Sequence, residues 1–178
     1  MGLLSHLKQL KKNSKEKKLL VLGLDNSGKT TILRSISEEN IKNIKPTEGF
    51  NMKNLAVEGV SLCVWDLGGQ TVLREYWSNY FDNTSALIYV VDSADEKRLE
   101  ESGVELKKLL NEEQLKNVPF LIFANKQDIE IALPPDEISD ALFLNKINDR
   151  NWNIVACSAV TKDGLTDGLD WLIGTIKN

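Results

Sequence analysis

Gly23-Leu24-Asp25-Asn26-Ser27-Gly28-Lys29-Thr30 combines glycines, a lysine and a hydroxyl at the spacing of a phosphate-cradling loop. Such a loop wraps backbone N–H groups around phosphate oxygens, and the helix that follows adds the positive end of its dipole. The candidate phosphate ligands are Gly23, Asp25, Asn26, Ser27, Gly28, Lys29, Thr30 and Thr31. The Lys29 ammonium is placed to reach the β- and γ-phosphates, and the Thr30 hydroxyl to reach Mg²⁺. A second stretch, Asp66-Leu67-Gly68-Gly69-Gln70, ends an apolar run. An acidic residue there can hold Mg²⁺ through water, Gly69 can offer its N–H to a γ-phosphate, and Gln70 is placed to orient an attacking water. Between the two lies Lys45-Pro46-Thr47-Glu48-Gly49-Phe50-Asn51. The Thr47 hydroxyl can ligate Mg²⁺ and its N–H can meet the γ-phosphate, which would hold that loop only while the phosphate is present.

Asn125-Lys126-Gln127-Asp128 ends another apolar run. A carboxylate at Asp128 can accept from both guanine N1–H and the 2-amino group, a donor pair that adenine lacks. Asn125, Lys126 and Asp128 therefore form a candidate guanine reader, with Ser158 and Ala159 offering a backbone N–H to the guanine O6.

These groups need elements to carry them. Strand-like runs span Leu19–Leu22, Phe50–Val57, Ser61–Asp66, Ala86–Asp92, Pro119–Ala124 and Trp152–Cys157. Helical patterns cover Lys29–Ser37, Lys97–Leu110, Pro135–Ala141 and Leu165–Ile176. Runs such as Ala86-Leu87-Ile88-Tyr89-Val90-Val91 are apolar at every position, as strands are when helices cover both faces of a parallel sheet. The Glu58-Gly59-Val60 link is too short for anything but an antiparallel hairpin. The expectation is an α/β fold: a doubly wound, six-stranded, mostly parallel sheet with one antiparallel edge strand. Residues 1–16 read as an amphipathic helix and basic linker, and 17–178 as one domain. Leu3, Leu4, Leu7 and Leu10 share one helical face, which either packs on its own domain or leaves it for lipid or a partner.

The 178 residues carry a net charge of −4, but residues 1–18 carry +5, leaving −9 on the remainder. A basic arm on an acidic body suits a membrane or protein surface and argues against nucleic acid as the partner. Nothing in the sequence is long and apolar enough to span a membrane, and no secretory leader is read, so the chain is expected inside the cell. Cys63 and Cys157 lie in apolar runs and read as buried free thiols; with one histidine, His6, a His/Cys metal site is not expected.

Taken together the motifs resemble the small GTPases, and more narrowly the Arf and Arf-like group. Arg74-Glu75-Tyr76-Trp77-Ser78-Asn79-Tyr80 and Tyr89-Val90-Val91-Asp92-Ser93-Ala94-Asp95 join the match, while Met1-Gly2-Leu3-Leu4-Ser5 and Asp149-Arg150-Asn151-Trp152 look most like the third Arf-like subtype. The resemblance implies a monomeric switch that binds GTP/GDP with Mg²⁺, hydrolyses GTP through Gln70, and depends on an exchange factor, a GTPase-activating protein and effectors of the GTP state. It implies that GTP slides the Phe50–Asp66 hairpin in register and expels the N-terminal helix. Phe50, Trp65 and Tyr80 would form the patch that effectors read. It further implies a role with lipidated cargo, ciliary or Golgi–microtubule, in a cytoplasmic protein with Golgi, cytoskeleton or cilium as peripheral sites.

Two departures from the family pattern stand out. The myristoylation pattern wants Ser or Thr at position six, where this chain has His6; leucines and lysines alone would give weak, reversible membrane binding. The Thr47 loop contains Lys42 and Lys45 but no arginine, so unaided hydrolysis should be slow. The alternatives are a nucleotide-holding scaffold with little turnover and a P-loop kinase of a small metabolite. No arginine-rich lid supports the kinase.

Overall fold

The computed structural model describes residues 16–39, 41–42, 44–45 and 47–177. The N-terminal helix expected from Leu3, Leu4, Leu7 and Leu10, and Pro46 of the Thr47 loop, lie outside the described residues.

The strands are β1 (Lys17–Leu22), β2 (Phe50–Val57), β3 (Val60–Leu67), β4 (Thr84–Asp92), β5 (Phe120–Asn125) and β6 (Trp152–Ala156). They form one six-stranded sheet in the order β2-β3-β1-β4-β5-β6, with only β2 antiparallel to its neighbour. The helices are α1 (Lys29–Ile36), α2 (Thr71–Arg74), α3 (Leu99–Leu110), α4 (Pro135–Ala141) and α5 (Leu165–Ile176). The expected sheet is present, with strand ends moved by a residue or two. The expected helix from Lys97 begins instead as a 3₁₀ turn, Glu96–Arg98, before α3.

Alternation along the strands divides the core. Leu20, Leu22, Leu87, Tyr89, Phe120 and Ile122 face α3 and α4. Leu19, Val21, Ile88, Val90, Leu121 and Phe123 face α1 and α5. Successive strand side chains point to opposite faces, so a strand apolar at every position feeds two cores at once. Each fully buried side chain of this size stabilises the fold by roughly 1.5–3 kcal/mol. Cys157 joins the α5-side core, whereas Cys63, expected to be buried, is only half-buried on β3 near the sheet margin; both thiols are free.

The β2–β3 connection is tighter than the sequence suggested. Val60 already belongs to β3, and only Glu58 and Gly59 turn, at φ +48° and +79°. Two consecutive positive φ values match a type I′ turn, whose twist suits a hairpin. The chain runs from β1 to the β2–β3 side, then crosses to β4 on the other side. Order therefore reverses at β1, and ligands in such sheets bind beyond the carboxyl ends of strands at that point.

Candidate nucleotide site

The carboxyl end of β1 runs into the loop Gly23–Gly28, which delivers the chain to α1. Gly28 sits at φ +100°, and a Cβ there would collide with the Asn125 side-chain amide. Helices α3, α4 and α5 each have acidic residues in the first turn, which complement the dipole. Helix α1 has none and begins with Lys29. Positive dipole end and ammonium together call for an anion. Lys29 is 5% exposed, and its Nζ donates to the Leu24 carbonyl at 2.8 Å. Burial lowers its pKa to about 8, against the attraction of Asp66 and Asp25. A polyanion beside it would restore the charged form.

Asp25, Asn26, Gly28, Lys29, Thr30, Thr31, Ile44, Lys45, Thr47, Gly69 and Gln70 line a cleft of about 270 Å³. The three residues expected to serve Mg²⁺ converge there. Thr30 Oγ1 lies 2.8 Å from Thr47 Oγ1 and donates to Asp66 Oδ2 at 2.5 Å; Thr47 Oγ1 is 3.5 Å from the same oxygen. Asn51 Nδ2 also donates to Asp66 Oδ2, at 3.3 Å, tying β2 to the end of β3. Asp66 Oδ1 is buried without a hydrogen-bond partner among the described residues. Burial pushes the Asp66 carboxyl above its ordinary pKa, against the Thr30 hydrogen bond and the nearby Lys29 charge. An orphaned buried carboxylate oxygen with two hydroxyls beside it is a donor set of hard oxygens, which fits Mg²⁺.

Gly69 packs directly on the phosphate loop. A Cβ there would overlap backbone atoms of Gly23, Leu24 and Asp25, so glycine is required by contact with the loop itself. Its carbonyl accepts the Asp25 N–H at 3.0 Å. Gln70 follows at the entrance to α2, half-buried on the cleft wall.

The expected base-reading residues assemble beside the loop with a division of labour. Asn125 is 1% exposed and braces the site: Nδ2 donates to the Ser27 carbonyl at 2.9 Å, and Oδ1 accepts the Ala159 N–H at 3.1 Å. The Ala159 N–H, expected to face guanine O6, is thus already engaged and would have to be shared. Lys126 Nζ bridges the Asn26 carbonyl and Asp92 Oδ2, both at 2.6 Å. Asp128 is exposed, oriented by Ser158 Oγ at 2.7 Å, and free to accept from a base edge laid against it.

The three expected effector aromatics also meet. Phe50 is centred 5.0 Å from Trp65 and 5.7 Å from Tyr80, and Trp65 lies 5.7 Å from Tyr80. Phe50 is 47% exposed, and Met52 and Tyr76 are similarly exposed. Residues the sequence did not single out include Asn51, Arg74 and Arg98; the Arg98–Glu101 spacing, i to i+3 on a helix, was the available signal. A larger groove, about 870 Å³, runs between α3 and α4 past Val104 and Phe143, but none of the expected site residues line it.

Comparison with known proteins gives one family. Residues 3–176 match the model of the ADP-ribosylation factor family. The chain is 56% identical to ADP-ribosylation factor-like protein 3 of Chlamydomonas reinhardtii over 99% of this chain and 100% of that protein. It is 50% identical to ADP-ribosylation factor-like protein 2 of Arabidopsis thaliana over 100% of this chain and 97% of that protein. Among solved structures it is similar to the Arl6 BBS3 small GTPase of Trypanosoma brucei with bound nucleotide analogue GppNp. That match has a TM-score of 0.85 and 33% identity, covering 92% of this chain and 98% of that one.

Proposed function

The chain belongs to the ADP-ribosylation factor family, and from that premise we propose how its guanine-nucleotide switch is built and what it serves. As an Arf-like small GTPase it binds guanine nucleotide and hydrolyses GTP. The observation that carries the mechanism is the approach of Thr47 to Thr30, 2.8 Å between hydroxyl oxygens, with Asp66 beneath both.

In this reading Thr30, Thr47 and Asp66 would hold Mg²⁺, which would supply positive charge to offset that of the phosphates. Lys29 and the loop N–H groups hold the phosphates, Gly69 offers its N–H to the γ-phosphate, and Asp128 selects guanine. Loss of the γ-phosphate removes what Thr47 and Gly69 hold, and their loops let go. The register of β2 on β3, with Asn51 opposite Asp66, is then free to slide and make room for the N-terminal leucine face. Gln70 orients the attacking water. Without an arginine in the Thr47 loop turnover is slow, and an activating protein supplies the missing charge.

Effectors read the Phe50, Trp65 and Tyr80 face in the GTP state, and an exchange factor reloads the protein. We place it in the cytoplasm, peripheral at Golgi, cytoskeleton or cilium, releasing lipidated cargo from carrier proteins. The test is capture of purified carriers of lipidated cargo on protein loaded with GDP or a non-hydrolysable GTP analogue. Binding confined to the GTP form, and kept by Gln70→Leu loaded with GTP, is expected. Equal capture in both states would refute the switch.

A further inference from the structure

Asp25 places a carboxylate within a loop built to receive a polyanion. Two guanidinium groups neutralise it. Arg98, in the turn before α3, donates through Nη2 to Asp25 Oδ1 at 2.6 Å and through Nη1 to the Asp25 carbonyl at 3.1 Å. Arg74, at the end of α2, brings Nη2 to 3.5 Å of the same Oδ1. Burial alone would raise the Asp25 pKa, but the Arg98 hydrogen bond and the two positive charges outweigh it and hold the carboxyl below its ordinary value.

Arg74 does more than balance charge. Its side chain is 6% exposed, and each nitrogen points at a different part of the machine. Nε donates to the Gly69 carbonyl at 2.8 Å. Nη1 donates to Glu101 Oε1 at 2.8 Å and lies 3.5 Å from Glu105 Oε1, both on α3. Nη2 has no hydrogen-bond partner among the described residues and faces Asp25. The Gly69 carbonyl belongs to the peptide whose N–H is that of Gln70. That peptide is fixed by two donors, the Asp25 N–H and Arg74 Nε. A planar guanidinium spreads its donors over three nitrogens in a rigid fork, whereas an ammonium carries its three on one rotating nitrogen and cannot span the same partners.

We propose that Arg74 is a positioning residue for GTP hydrolysis: it locks the Gly69–Gln70 peptide, and so aims the Gln70 side chain, while joining the phosphate loop to α3. The proposal rests on the reading of Gln70 as the residue that orients water. Arg74 itself is not among the residues that line the phosphate cleft.

The experiment compares wild type, Arg74→Lys and Glu101→Gln, each alone and with Gln70→Leu, by release of fluorescent GDP and by single-turnover hydrolysis of GTP. Arg74→Lys should keep GDP release within about threefold of wild type and slow hydrolysis about tenfold. Glu101→Gln, on the more exposed side of the pair, should slow it about threefold while leaving the Arg74 bond to the Gly69 carbonyl and the Arg98 bond to Asp25 in place. Combined with Gln70→Leu, neither change should slow hydrolysis further, because a residue acting through Gln70 has nothing left to aim. Unchanged hydrolysis in Arg74→Lys, an equal loss in the Gln70→Leu background, or a parallel loss of GDP affinity would overturn the proposal and leave the nucleotide switch standing. A wild-type chain that holds GTP without turning it over would overturn the hydrolytic reading and this proposal together.

Discussion

Lys29→Met separates what Lys29 costs the fold from what it contributes to binding. A lysine whose pKa falls from 10.5 to about 8 destabilises the nucleotide-free protein by roughly 3 kcal/mol while charged, at about 1.4 kcal/mol per pKa unit. The bond to Leu24 returns about 1 kcal/mol, and that carbonyl keeps the Ser27 N–H at 3.3 Å when the ammonium is removed. Methionine fills nearly the same volume. Nucleotide-free Lys29→Met should therefore be more stable than wild type at pH 7 by roughly 1–2 kcal/mol, while nucleotide affinity collapses. The sign of the pH dependence follows from a folded pKa below the unfolded one. The penalty is full below pH 8 and fades as pH rises from about 8 to 10.5, where the unfolded chain holds the extra proton. Urea unfolding of protein stripped with EDTA and phosphatase, at pH 7 and pH 9.5, measures both effects. The stability gap between variant and wild type should narrow at pH 9.5. A variant less stable at pH 7, or a gap independent of pH, would refute the argument that Lys29 is held charged at the fold's expense.

Asp128→Ala should erase discrimination between GTP and ITP, which lacks the 2-amino group. Wild type should prefer GTP by about ten- to a hundredfold, the worth of one hydrogen bond to a charged acceptor, in competitive displacement of a fluorescent nucleotide. Gly69→Ala forces its Cβ into the backbone of Gly23, Leu24 and Asp25; GTP affinity should fall at least about tenfold more than GDP affinity, by titration calorimetry with each nucleotide. Phe50→Ala should weaken effector capture by about 2 kcal/mol yet leave the melting temperature almost unchanged, because the ring is 47% exposed on the face where it meets Trp65 and Tyr80.

The sequence alone determined the sheet, its one antiparallel edge, and which segments form its strands to within a residue or two. Those properties are local: an apolar run bounded by turn residues is a buried strand wherever it is packed, and a short link permits only a hairpin. The phosphate loop, the Thr47 loop and the Asn125–Asp128 reader were legible for the same reason, since each packs its chemistry into a few consecutive residues. What only tertiary structure decided is which side chains act on one another across the fold. Asn125 belongs to the guanine-reading stretch by sequence, yet in space it braces the phosphate loop against the chain after β6. Gly69 was legible as a glycine near phosphate, but its contact with Gly23, Leu24 and Asp25 exists only once β3 lies beside β1. Arg74 opens a stretch that matches the family, but the sequence assigned it no role. Its role arises because parallel β1 and β3 bring Gly69 onto the phosphate loop while α3 crosses behind, so Asp25, Gly69 and Glu101, far apart along the chain, meet around one buried guanidinium. Spacing along a chain encodes what a segment can become; it carries no record of partners that are brought together only by packing.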